Sequence, residues 1–290
     1  MTKIAIIGPG AVGTSLAVAL QDYPHVTLLG RRATTLIYEE AKTSETQSIA
    51  VQALPKTTER YDVIFIAVKT YQLDSVLPYL PHMTHDKTCI ILAQNGYQNL
   101  QQFAPYRVYQ AVVYISGQKQ GNHVTHFRDQ VLHIQRDHIT EQLAETLAHT
   151  QLILHLENEI EHKIWYKLLV NLGINTITAL SRDTAQVLKN KAMVQLCEHL
   201  LQEGVAIAQH EGIPFSQSIV KDIMKIYQGY PDQMGTSMYY DIINNQPLEV
   251  DAIQGYIYRA ATRHQLKMPY IEMAYTLLSH HHQNALQLQN

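Results

Sequence analysis

The sequence has few of the features that mark several common classes of protein. Its two cysteines, Cys89 and Cys197, lie in apolar stretches, which favours reduced core residues over a disulfide. The net charge is −3 with no long basic run, which argues against nucleic-acid binding. No apolar run is long enough to cross a membrane, and the first residues already read as a strand rather than a signal peptide. These absences predict a soluble, cytoplasmic protein.

Histidine is abundant, with 16 residues, but the spacing typical of a metal site is missing. His280, His281 and His282 are consecutive in what reads as a polar C-terminal tail, and the other histidines are scattered. The sequence contains neither an H-E-x-x-H pattern nor a Cys/His pairing. We therefore expect solvated surface histidines and no metal.

A glycine-rich turn near the start of the chain is the clearest motif. A short apolar strand, 4–7, leads into a G-x-G-x-x-G pattern, and helix-forming residues 14–20 follow. In a dinucleotide-binding unit the first glycine permits the tight turn, the second lets a pyrophosphate approach, and the third allows close helix packing. Free N–H groups at the helix N-terminus then bind the phosphates. The predicted cofactor-binding residues of this turn are Gly8, Pro9, Gly10, Ala11, Val12 and Gly13.

The second predicted strand, 26–30, ends without the acidic residue that normally holds the ribose 2′-OH of NAD. Arg31 and Arg32 stand there instead, and the next acid is Glu39. A guanidinium suits a 2′-phosphate, whereas a carboxylate would repel it. We therefore predict NADP(H) as the cofactor and assign Arg31 to the 2′-phosphate. Arg32 is either a second phosphate ligand or a surface charge.

The apolar pattern of the first half predicts alternating strands and helices. Two further buried strands, 62–68 and 88–93, end in polar turns that carry Lys69 and Asn95, where open parallel sheets bind their ligands. The segments 107–115, 122–126 and 130–135 are short and close together, which predicts antiparallel additions. A helix over 140–149 and a strand over 152–155 complete this half.

Beyond residue 159 the apolar residues recur at helical spacing and no strand is predicted. Further helices are expected over 193–209, 215–227, 248–265 and 270–285, separated by Gly- and Pro-containing turns. The predicted fold class is therefore α/β: an N-terminal Rossmann-type dinucleotide-binding domain followed by an all-α C-terminal domain. We expect the NADP-binding domain over residues 1–158 and the helical domain, for substrate and catalysis, over 159–290.

A polar row in an otherwise apolar helix is the candidate for chemistry. Lys167, Asn171 and Asn175 are spaced i, i+4 and i+8, so that one continuous helix would align them. Polar groups in a buried helix destabilise it unless something pairs with them, and a small polar ligand would do so. The alternative is a solvated helix face on which Lys167 extends its ammonium to water.

These residues belong to an ordered set of motifs that covers nearly the whole chain. Residues 165–175 are similar to a W-x-K-L-x-x-N-x-x-I-N pattern, 237–241 to S-M-x-x-D, and 249–255 to E-x-D-x-I/-N-G. The strand-end segments 68–72 and 94–96 match as well. The sequence thereby resembles the ketopantoate reductase (2-dehydropantoate 2-reductase) family. It departs from that pattern at Met234 and Gln254, where asparagine occurs in members of the family.

The resemblance implies a role for each matching residue. Lys167 would be the general acid, while Asn171, Asn175 and Ser237 would hold the substrate's carboxylate and hydroxyl groups. Asn95 would face both the nicotinamide and the substrate.

Three further roles concern the cofactor. Glu249 would lie beside the cofactor ribose or the Lys167 ammonium, and would act in catalysis. Gly117 would follow the family's cofactor-contacting position, and Lys69 would bind the cofactor at the end of its strand.

The resemblance implies NADPH-dependent reduction of 2-dehydropantoate to (R)-pantoate, with Lys167 supplying the proton. The partner would be this small-molecule substrate, and the tyrosine-rich second half is compatible with a homodimer. One alternative is a related dehydrogenase of another small 2-oxo acid, or of a sugar or glycerol phosphate that would want clustered cations. The other is a non-catalytic NADP(H) sensor.

Overall fold

Ten strands in the first half of the chain form one sheet. The computed structural model describes residues 2–289. Its strands are β1 (Ile4–Ile7), β2 (Val26–Gly30), β3 (Thr34–Glu40), β4 (Glu45–Ala53), β5 (Val63–Ile66), β6 (Cys89–Leu92), β7 (Arg107–Gln110), β8 (Val112–Gln120), β9 (His123–Gln135) and β10 (Ile153–Glu157).

The centre of the sheet is parallel. The strand order is β10-β9-β3-β4-β2-β1-β5-β6-β7, and β8 pairs antiparallel with β9. Strands β1, β5 and β6 are buried along their whole length, as expected for strands covered on both faces. The predicted strand 26–30 is confirmed, while the strands expected over 62–68 and 88–93 are shorter, at Val63–Ile66 and Cys89–Leu92.

The first half differs from the sequence analysis at two places. After β2 the chain forms an antiparallel hairpin, β3–β4, in a segment for which no element was predicted. The alternating burial of β3, with Leu36 and Tyr38 inside and Ile37 exposed, is the period of a half-covered strand. The segments 122–126 and 130–135 are not separate additions but one strand, β9. This strand pairs antiparallel with β8 and parallel with β3 and β10.

The helices of residues 2–289 are concentrated in the second half. They are α1 (Ala11–Ala19), α2 (Leu80–Met83), α3 (His138–Thr146), α4 (Ile160–Ser181), α5 (Lys191–His210), α6 (Ile219–Gln228), α7 (Ser237–Ile243), α8 (Gln254–Arg263) and α9 (Pro269–Gln289). Between Glu161 and Gln289 the structure contains helices and turns without a strand, which confirms the predicted fold class. Helix α8 begins six residues later than expected, and α7 was not predicted.

Helix α4 forms the centre of the helical part, since every residue from Leu168 to Ala179 is buried. Helices α5 and α6 approach it closely at glycines and through a buried tyrosine. A Cβ on Gly204 would lie 2.7 Å from Leu172 Cδ2, and the Tyr227 hydroxyl donates to the Val170 carbonyl at 2.7 Å. This packing fixes the helix on which the predicted catalytic residues lie.

Chain contacts divide the molecule into two compact units. The first contains the residues up to Gln94 together with Gln98–Ile160, and the second contains Asn95–Tyr97 and the residues from Glu161 onward. The three-residue segment Asn95–Tyr97 therefore belongs with the helices and not with the sheet that precedes it. Across residues 2–289, no helix is both long and apolar enough to span a membrane.

Both cysteines are buried and unpaired, as the sequence indicates. The expectation of solvated histidines near residue 280 is wrong for His282, while His280 is exposed. His280, His281 and His282 lie inside α9, and His282 is only 8% exposed. Its Nδ1 accepts the backbone N–H of Leu248 at 2.9 Å. Among the described residues, no three His, Cys, Asp or Glu side chains are grouped as metal ligands would be.

Candidate active site

In the first unit, the glycine-rich turn has the geometry of a dinucleotide-binding turn. Gly8 has φ +111°, and a Cβ there would lie 2.7 Å from the Val68 nitrogen. A Cβ on Gly13 would lie 2.0 Å from the Gly8 carbonyl oxygen, so only glycine fits between α1 and β1. Gly10, in contrast, has nothing within 4 Å of its Cβ position. The turn is therefore tightly packed on the protein side and open beside the N-terminus of α1, where a diphosphate can bind N–H groups.

Other predicted cofactor residues lie close to this turn. Gly117 on β8 is brought to the start of α1, because its Cβ position is 3.6 Å from Ala11 Cβ. Arg31 and Arg32 follow the end of β2, are exposed, and make no ion pair among the described residues. Lys69 precedes the 3-10 turn Thr70–Ser75 that follows β5.

In the second unit, the segment that carries Asn95 is held against the turn before α8. A Cβ on Gly96 would lie 2.6 Å from Ala252 Cβ, and the Tyr97 N–H donates to the Ala252 carbonyl at 2.7 Å. The Tyr97 ring stacks on Tyr256 with 3.9 Å between centroids. These contacts hold the segment Asn95–Tyr97 against the turn 250–253, which follows Glu249, and connect it to α8.

The polar row on α4 has the helical continuity that its spacing requires. Lys167, Asn171 and Asn175 all lie within α4; Lys167 is half-buried, and Asn171 and Asn175 are 8% and 6% exposed. Among the described residues the two asparagine side chains make no hydrogen bond, yet their polar atoms are not sealed from solvent. Buried amides are normally paired, so these two are available to a ligand.

One hydrogen bond connects α4 to the segment that carries Ser237, and a second caps the helix in that segment. The hydroxyls of Thr178 and Thr236 lie 2.8 Å apart, and Thr236 caps α7 by accepting the Tyr239 N–H. Ser237 is the first residue of α7 and is exposed. The hydrogen bond between Thr178 and Thr236 therefore positions Ser237 relative to α4.

Gln254 links three of these elements. Its side-chain nitrogen donates to Thr176 Oγ1 at 2.9 Å and lies 3.6 Å from the sulfur of Met238. Its oxygen Oε1 is buried without a partner. Thr176 and Met238 follow Asn175 and Ser237 in sequence, so Gln254 contacts the residue next to each of two predicted substrate residues. The sequence marked Gln254 only as a departure from the family pattern.

Glu249 is 7% exposed and lies in the turn before α8. The bond from Leu248 to His282 holds this turn on α9. Burial lowers the pKa of His282, consistent with a neutral imidazole that accepts an N–H. The sequence alone gave no signal for this role, since a His-His-His run near a chain end resembles a solvated tail.

Two family models match this chain. The model described as ketopantoate reductase PanE/ApbA matches residues 4–138, and the model of the PanE/ApbA C-terminal domain matches residues 159–282. Together they cover both units. The chain belongs to the ketopantoate reductase family.

Individual relatives match along almost the whole chain. A dimeric ketopantoate reductase from Staphylococcus aureus is 52% identical, covers 98% of this chain and 99% of its own, and superposes with a TM-score of 0.95. The 2-dehydropantoate 2-reductases of Mycobacterium tuberculosis and Caulobacter vibrioides are 28% and 27% identical, each over 96% of this chain and at least 97% of their own. The family assignment therefore rests on both units.

Proposed function

We propose that this protein is an NADPH-dependent reductase that converts 2-dehydropantoate to (R)-pantoate. The observation that carries the proposal is the row formed by Lys167, Asn171 and Asn175 on a buried helix, with two amides available to a ligand. The family membership and the 52% identity to a ketopantoate reductase support the substrate.

NADPH supplies a hydride to the substrate's carbonyl carbon when it is bound. The glycine turn fits it, because Gly10 leaves open space beside the N-terminus of α1 while Gly8 and Gly13 close the other side. We assign the diphosphate to the N–H groups of this turn and the 2′-phosphate to Arg31. Gly117 and Lys69 complete the cofactor residues of the first unit.

Lys167 is proposed to donate the proton. Hydride addition builds negative charge on the carbonyl oxygen, and a positioned ammonium both stabilises that charge and protonates the oxygen. Glu249, in a turn held by Leu248 and His282, is assigned as the carboxylate that balances this cation. Both residues lie in the second unit.

Neutral polar groups are proposed to orient the substrate. Asn171, Asn175 and Ser237 offer amide and hydroxyl groups to the carboxylate and hydroxyl of 2-dehydropantoate, without adding a competing charge. Asn95, on the segment packed against Ala252, is assigned to the nicotinamide and the substrate. We further propose a homodimer, as in the Staphylococcus aureus relative, and a cytoplasmic location, where buried thiols such as Cys89 stay reduced.

The test is the loss of NADPH absorbance with 2-dehydropantoate, run beside NADH and beside a panel of other 2-oxo acids and sugar phosphates. We expect oxidation to be fastest with 2-dehydropantoate and NADPH. Faster turnover of another 2-oxo acid would assign this chain a different substrate. NADPH binding without oxidation of any of these compounds would favour a sensor.

A further inference from the structure

A lysine that the motifs do not mark lies on the dinucleotide-binding turn. Lys119, near the end of β8, donates from its Nζ to the carbonyl oxygen of Pro9 at 2.5 Å. The two residues are far apart in sequence and meet because β8 packs on α1, with Gly117 close to Ala11. An ammonium group is thereby fixed on the turn that binds the cofactor.

This ammonium lacks a balancing charge. Among the described residues its one hydrogen bond is to Pro9, and no carboxylate pairs with it. An ammonium carries three N–H donors, so two remain for a ligand. Lys119 is an exposed residue, and the partial removal of its ammonium from water lowers its pKa. An accessible cation with spare N–H donors is well suited to an anion.

A second cation directly follows a residue that packs on the Pro9 ring. A Cβ on Gly30, at the end of β2, would lie 2.8 Å from Pro9 Cγ, and Arg31 is the next residue. Arg31 also has no ion pair in the described part of the chain. Pro9 is therefore flanked by the end of β2, where the adenosine ribose binds in this fold, and by Lys119.

We propose that Lys119 is a second ligand of the cofactor's 2′-phosphate and acts together with Arg31 to select NADPH over NADH. The inference deepens the proposed function and rests on the NADPH requirement stated there. A phosphate oxygen is a stronger acceptor for an ammonium than the neutral Pro9 carbonyl, because the hydrogen bond is then charge-assisted at both ends. Two cations also explain why this site dispenses with the acidic residue of NAD-binding units.

The decisive experiment is calorimetric binding to the whole protein and its Lys119→Met variant. The probes are NADPH against NADH, and 2′,5′-ADP against 5′-AMP, each pair differing in the 2′-phosphate alone. We expect Lys119→Met to weaken NADPH and 2′,5′-ADP binding about tenfold or more. The affinities for NADH and 5′-AMP should stay within about twofold. Lys119→Arg should restore most of the preference.

Lys87→Met is the matched control, since it removes the same charge from an exposed turn before β6. It should leave all four affinities unchanged. Equal weakening of NADPH and NADH by Lys119→Met would overturn the inference, because a lysine that only braces the turn or binds the diphosphate would act on both. An unchanged NADPH affinity would overturn it as well.

A second measurement observes Lys119 in the wild-type protein and uses a variant only to assign its signal. Lysines of the wild-type protein are dimethylated with ¹³C, and the Lys119 signal is assigned from Lys119→Arg. This signal should shift with 2′,5′-ADP and stay in place with 5′-AMP. A signal that does not move with 2′,5′-ADP, or that moves equally with 5′-AMP, contradicts the inference. If wild-type protein binds NADPH no better than NADH, the cofactor proposal itself fails. If it prefers NADPH and Lys119→Met changes nothing, only the role of Lys119 fails.

Discussion

The two units differ in which part of the chain supplies their candidate functional groups. In the first unit the main chain dominates: the turn works because Gly8 and Gly13 leave no room for a Cβ and Gly10 leaves open space. In the second unit side chains on a buried helix dominate, and the surrounding hydrogen bonds hold them in place. A site built from main chain is disrupted when a glycine is replaced by a larger residue. A site built from side chains is disrupted when a functional group is removed.

The largest effect is expected for Gly13→Ala. The Cβ introduced at this position would lie 2.0 Å from the Gly8 carbonyl oxygen, and this backbone atom cannot shift without distorting the turn. The free energy of unfolding should fall by more than the ~1–3 kcal/mol typical of an overpacked core. Thermal melting of the purified variant measures this loss.

Gly10→Ala is the matched control in the same turn. Nothing lies within 4 Å of its Cβ position, so its melting temperature should equal that of the wild type while NADPH binds more weakly. If Gly13→Ala melts like Gly10→Ala, the close packing of α1 on β1 is not what the third glycine provides.

The next effect in size is expected for Arg31→Ala. Loss of a guanidinium–phosphate contact should weaken NADPH binding about tenfold or more and leave NADH binding nearly unchanged. Titration calorimetry with both cofactors measures it, and Arg32→Ala tests whether the neighbouring arginine shares the role. Equal weakening of both cofactors would remove Arg31 from the 2′-phosphate.

In the second unit, Asn175→Ala separates ligand binding from stability. The Asn175 amide makes no hydrogen bond among the described residues, so its removal should change the melting temperature little. The KM for 2-dehydropantoate should rise about tenfold, the loss of one good hydrogen bond. Thr178→Val is the contrasting variant, because Thr178 bonds Thr236 and its loss should lower the melting temperature. A destabilised Asn175→Ala with unchanged KM would make Asn175 structural.

The smallest effect concerns pH. Burial lowers the folded-state pKa of His282 below its ordinary 6.5, so as the pH falls below 6.5 the unfolded chain takes up the proton first. Stability should therefore decrease on acidification, by less than the ~1.4 kcal/mol per pH unit that one proton allows. His282→Asn keeps an acceptor for the Leu248 N–H and should flatten this decrease.

Urea unfolding at several pH values measures the decrease. His280→Asn, at an exposed position of α9, should leave it unchanged. A steeper loss in His282→Asn would contradict the account.

Local features of both units could be predicted from the sequence, whereas contacts between distant segments could not. The glycine turn is local, so the strand, turn and helix around Gly8 follow from thirteen residues. The α4 row is local too, since its three members share one helix. Long-range pairings were not predictable: the β3–β4 hairpin depends on partners such as β9, and the merged strand β9 depends on β8, β3 and β10.

Two residues show the same limit within the site. His282 has its role through Leu248, and Gln254 has its role through Thr176 and Met238. Neither pattern is visible along the chain, because each contact joins distant segments. The assignment of Asn95 to the helical unit, through Gly96 and Ala252, is of the same kind.

The central claim is that the side chains of α4 perform the proton transfer while the turn of the first unit binds the cofactor. Single-turnover oxidation of NADPH with 2-dehydropantoate by Lys167→Ala, with the NADPH affinity measured on the same sample, tests this division most directly. The account predicts a rate ~10²–10⁴-fold lower with an unchanged NADPH affinity. A near-normal rate, or a loss explained by weaker NADPH binding, would contradict it.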